Sequence, residues 1–109
     1  MSNCTDQNSA GARTGASAAD PAKVPGVLAA MADHFTAHDP NGLLAPDATG
    51  ICASAEVYRA TGRSAFGGAS ALLNAVMDVL PAAAPRSTRA QYAKALRREA
   101  VSRGWRAGQ

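Results

Sequence analysis

His34 and His38 stand four residues apart, a spacing that turns both imidazoles toward one side of a helix and that proteins use to chelate zinc. Cys52 can add a soft third ligand, and Asp33, Asp39 or Glu56 a fourth. The residue after His34 is Phe35 and not glutamate, so the set lacks the general base of a His-Glu-x-x-His hydrolase. Two histidines at the rim of a core, bonded to loop carbonyls, are the commoner arrangement. The expectation is therefore no cofactor, with zinc held by His34, His38 and Cys52 as the third functional reading.

Cys52 has the element type of a nucleophile, but nothing in the sequence fixes a base beside it, and a small thiol packed near Ala55 is the usual role. The stretch Thr61-Gly62-Arg63-Ser64-Ala65-Phe66-Gly67-Gly68 resembles an anion nest leading into a helix. It lacks the Gly-Lys-Ser/Thr ending of a phosphate-binding loop and has no strand before it, so turn glycines explain it better. Ser64 lacks the glycines of a nucleophile elbow, and Glu56 and Glu99, the only glutamates, form no carboxylate pair. No catalytic constellation is present, and the chain is read as a non-enzyme.

The strongest chemical signal is charge. Residues 85–109 carry seven basic side chains (Arg86, Arg89, Lys94, Arg97, Arg98, Arg103 and Arg106) against the single acid Glu99, while residues 1–84 are net negative. On a helix, Lys94, Arg97, Arg98 and Val101 share an outer face, with Arg86, Arg89, Arg103 and Arg106 adding charge at its ends. Such a face suits an acidic protein or a phosphate backbone, and arginine adds planar, bidentate contacts. Trp105 can stack on a base or fill a partner's pocket, although folding back onto the core is its expected role. Codon bias toward alanine and arginine and plain solubility are the bland explanations of the same residues.

These side chains need a scaffold, and the composition limits it. The chain has 109 residues, of which 27 are alanine and only 22 are large apolar side chains, enough for one small core. A multidomain enzyme is excluded. Residues 1–20 have no large apolar side chain after Met1 and read as a disordered tail. No basic segment precedes an apolar run there, no run approaches a membrane span, and two cysteines are too few for a disulfide framework, so a cytoplasmic location is expected. The Asn3-Cys4-Thr5 sequon then has no physical consequence.

Residues 21–109 read as one helical domain. A first helix is predicted over Val27–His38, stopped by Asp39-Pro40-Asn41-Gly42. Leu43 and Leu44 tack down the following loop, and Asp47 or Thr49 caps a second helix, Gly50–Thr61, with Ile51, Ala55 and Tyr58 in one stripe and Gly62 as its left-handed stop. A third helix, capped by Ser64 or Ser70 and reaching Leu80, is apolar around more than half its circumference (Leu72, Leu73, Ala75, Val76, Met77, Val79, Leu80) and is predicted to be central. After the Pro81–Pro85 linker, Thr88 and Gln91 form a capping box for a fourth helix whose inner face is Tyr92, Ala93, Leu96 and Ala100, with Gly104 ending it.

The prediction is an all-α bundle of about four helices. The favoured function is a small adaptor or inhibitor contacting an acidic protein or nucleoprotein through Arg89, Lys94, Arg97, Arg98, Val101, Arg103, Trp105 and Arg106. Nucleic-acid binding through the same helix is the second reading. Small accessory proteins of bacteria and phages often have this build. The small core leaves a stability margin that homodimerisation or a partner would widen.

Overall fold

The computed structural model describes residues 21–63 and 68–106. The predicted tail, Ser64 and the centre of the glycine-rich segment lie outside the described residues. Within them the chain is all-α, with four helices: α1 (Val24–Ala37), α2 (Ala48–Thr61), α3 (Ser70–Asp78) and α4 (Arg89–Ser102). A 3-10 turn, Pro21–Lys23, leads into α1. None of the helices is long and apolar enough to cross a membrane.

α1 is the organising element. Val24, Val27, Leu28, Met31, Ala32 and Phe35 recur at helical spacing and are all buried. The helix starts three residues earlier than its sequence pattern predicts, because Pro25 falls in the first turn, where its missing N–H and fixed φ do no harm. Most helix–helix packing is between α1 and α4, with lesser contacts from α1 to α2 and α3.

α3 is therefore not the central helix. It spans nine residues, is preceded by Ala69 where a serine cap was predicted, and fully buries only Leu72 and Val76. Its remaining apolar residues are only partly covered, and Met77 is exposed. A helix that is apolar on most sides is buried only if neighbours surround it, and α3 packs only lightly, against α2, α1 and the 3-10 turn.

The phase of α2 also differs from expectation. It buries Cys52, Ala53, Glu56 and Val57 and turns Ile51, Ala55 and Tyr58 outward. Asp47 precedes the helix without capping it through its side chain, whereas Gly62 ends it in the left-handed conformation (φ 71°), its N–H donating to the Tyr58 carbonyl (2.7 Å). Of the two loop leucines, Leu44 packs on the core and Leu43 is exposed.

α4 has the most completely specified ends. The Thr88–Gln91 capping box forms: Gln91 N–H donates to Thr88 Oγ1 (3.1 Å), and Thr88 N–H donates to Gln91 Oε1 (2.9 Å). The next amides are met by the reversal after α1, with Arg89 N–H donating to the Gly42 carbonyl and Ala90 N–H to the Pro40 carbonyl, both at 2.9 Å. At the other end Gly104 is left-handed (φ 100°), and the Trp105 and Gly104 amides donate to the Ala100 and Val101 carbonyls, a Schellman closure. Tyr92, Ala93, Leu96 and Ala100 face inward as predicted, and the Tyr92 hydroxyl donates to the Pro81 carbonyl (2.8 Å), anchoring the linker.

Candidate partner-binding face

Burying Tyr92, Ala93, Leu96 and Ala100 against α1 forces the opposite side of α4 into solvent. Lys94, Arg98 and Val101 lie there at i, i+4 and i+7, all exposed, with Val101 keeping 62 % of its surface in water. Among the described residues Lys94 and Arg98 form no ion pair. They form a short cationic stripe ending in an apolar side chain.

The other predicted contact residues are divided among internal tasks. Arg97 crosses to α1, its guanidinium donating to Asp33 Oδ1 (2.9 Å) and Thr36 Oγ1 (3.2 Å). Arg103 pairs with Glu99 one turn back (2.7 Å). Both pairs are solvent-accessible and worth no more than about 1 kcal/mol each, so a partner can compete for them. Arg89 is committed more deeply: its guanidinium lies over the Phe35 ring (4.7 Å to the centroid) while its Nε donates to the His38 carbonyl (2.7 Å). It locks the C-terminal end of α1 to the start of α4. Trp105 folds back, half-buried against the core, so close to α1 that a side-chain carbon added at Gly26 would touch its ring at 3.7 Å. Arg106 is exposed just beyond it.

A cleft of about 260 Å³ opens where α1, α2 and the start of α4 meet. His34, Phe35, Cys52, Glu56, Arg59 and Arg89 line it. Glu56 is buried and its Oε2 accepts from Arg59 (2.9 Å), a partner whose own side chain remains mostly exposed. Burial first, and the Glu56 carboxylate second, push the Cys52 thiol up to about 11, the opposite of an activated nucleophile. At neutral pH it is a protonated, apolar side chain.

His34 and His38 do come together, with ring centroids 4.7 Å apart. Among the described residues neither ring hydrogen-bonds to a loop carbonyl, contrary to expectation; His34 instead makes an edge-type ring contact with Phe35. Nor does Cys52 join them as a ligand. Among the described residues no three histidine, cysteine, aspartate or glutamate side chains are arranged to hold a metal ion. α1 and the residue that caps it supply the pair, but α2 presents Cys52 to the core and gives Glu56 to Arg59.

Burial holds the His34 ring below the ordinary imidazole range, and the nearby His38 and Arg89 push it the same way. On acidification the unfolded chain therefore takes up its proton first. The stabilisation is complete above the ordinary imidazole range and is lost as the pH falls through it toward the lower folded value. Urea melts at about pH 7.5 and about pH 5.5 should show the lower midpoint in acid, and His34→Gln should narrow the gap. An unchanged gap would remove His34 as the cause.

Sequence reasoning missed the Glu56–Arg59 pair and the outward turn of Ile51 and Tyr58. The former carried a signal, since acid and base three residues apart meet on a helix. Comparison of the chain with family models, curated protein sequences and solved structures finds no match to any of them.

Proposed function

We propose that the chain is a small protein-binding module that docks an acidic protein surface on the outward face of α4. The observation that carries this reading is the exposed Lys94–Arg98–Val101 stripe, where cations that form no ion pair among the described residues adjoin a large apolar side chain. Protein interfaces combine such an apolar contact with charged neighbours that steer and orient the partner. A phosphate backbone is less well served. Arg89 is held by α1, Arg97 and Arg103 have carboxylate partners, and the first amides of α4 already donate to protein oxygens. The same stripe gives the two alternatives opposite dependences on Val101.

The test immobilises the full chain and compares proteins retained at physiological salt by the wild type, by Lys94→Glu/Arg98→Glu and by Val101→Asp. All three side chains are exposed, so unchanged circular dichroism is expected and serves as the folding control. A stoichiometric protein partner lost from both variants, with affinity lowered about 10- to 100-fold, is the expected result. Equal retention by all three chains would overturn the reading. Labelled DNA and RNA measured in parallel by anisotropy should not bind at that salt. Tight binding that weakens steeply with salt but ignores Val101→Asp would replace the protein partner with nucleic acid.

A further inference from the structure

α2 is built inside out. Its core-facing side is a thiol, an alanine, a carboxylate and one valine, whereas its two largest apolar side chains, Ile51 and Tyr58, are 64 % and 56 % exposed. A helix serving only its own core would do the reverse, because burying a large apolar side chain is favourable and desolvating a carboxylate is costly. The outward stripe comprises Asp47, Ile51, Ser54, Ala55, Tyr58 and Gly62, spaced to fall on one side of the helix. It continues through a groove of about 510 Å³, shared by Ile51, Ser54, Leu73 and Met77, onto the exposed edge of α3.

We propose that this face pairs with the same face of a second copy of the chain, as two antiparallel α2 helices related by a two-fold axis at Ser54 and Ala55. The stripe is complementary to itself only in that direction. Each Ile51 then lies opposite the second copy's Tyr58, beside the groove mouth. Each Asp47 lies opposite the second copy's Gly62, next to the exposed cation Arg63. Small side chains at the crossing point allow the helix axes to approach closely. A parallel pairing would set Asp47 against Asp47 and the arginines against each other, so charge selects the antiparallel one. Because α4 packs on α1 and not comparably on α2, this pairing leaves both Lys94–Arg98–Val101 stripes uncovered, making the assembly bivalent.

Light scattering and sedimentation equilibrium of the full chain, from about 1 μM to about 1 mM, test the pairing. The mass should rise to that of two chains, and Ile51→Glu/Tyr58→Glu should raise the dissociation constant at least about 100-fold without loss of helicity. Asp47→Arg should weaken the dimer, and Asp47→Arg combined with Arg63→Asp should restore it. A single-chain mass throughout would overturn the proposal and leave the face to a different protein. A dimer indifferent to Ile51→Glu/Tyr58→Glu would place the contact elsewhere. A double charge swap weaker than Asp47→Arg alone would exclude the antiparallel arrangement.

Discussion

Replacing Phe35 with alanine should lower the unfolding free energy by about 3–5 kcal/mol, a large fraction of what a domain of this size possesses. Phe35 is 1 % exposed and sits where three elements meet. Its ring meets Tyr92 edge-on (centroids 6.1 Å apart) and carries the Arg89 guanidinium on its face. Truncation removes the buried ring, leaves a cavity, and deprives Arg89 of the platform from which it reaches the His38 carbonyl. Phe35→Leu keeps most of the volume and loses chiefly the aromatic and cation–π contacts, so about 1–2 kcal/mol is expected. Urea titrations followed by circular dichroism measure both. A Phe35→Ala loss below about 1.5 kcal/mol would show that the junction does not hold the helices together.

Ala93→Leu should destabilise by about 1–3 kcal/mol, and by more if α4 cannot shift. Ala93 and Ala100 on α4 and Ala32 on α1 are all 0 % exposed, in the pair of helices that shares most packing. Such small side chains bring the backbones close, and three added carbons have no space between them. Removing volume should also hurt: Ala93→Gly is expected to cost about 1 kcal/mol through helix entropy. An Ala93→Leu loss at the same level as Ala93→Gly or larger would mark the helix separation as fixed by this residue, since only the leucine variant acts through packing. Trp105, the only tryptophan, reports the same docking, because its ring rests beside Gly26 of α1. Its fluorescence should change in parallel with helicity in the Ala93→Leu melt, and wild-type stability for that variant would refute tight packing at this point.

Features decided locally were legible in the sequence. The Thr88–Gln91 capping box, the left-handed Gly62 and Gly104 and the inner face of α4 depend on neighbours within a turn or two, and all appear where their spacing placed them. Features decided by distant packing were not. On α2 the stripe of Ile51, Ala55 and Tyr58 has the predicted period but faces the opposite side. In an alanine-rich helix Ala53 and Cys52 make an equally apolar opposite face, and only contact with α1 chooses between the two. The apolar circumference of α3 predicts a central helix, but apolarity says how much of a helix could be covered and not how many neighbours it has. Of the contact residues, the exposed Lys94, Arg98 and Val101 follow directly from the phase of α4. The diversion of Arg97 to Asp33 and of Arg89 to Phe35 and His38 depends on partners more than 50 positions away in the chain.

The dominance of the α1–α4 pairing also bears on how the protein acquires its structure. The two helices lie at opposite ends of the described chain, so joining them closes a long loop whose entropy must be spent before most of the packing is gained. A nascent chain that has released α1, α2 and α3 from the ribosome still exposes the side of α1 that α4 covers, Phe35 included. Folding therefore waits on synthesis of α4, and until then a chaperone or a second nascent chain competes for the same surface.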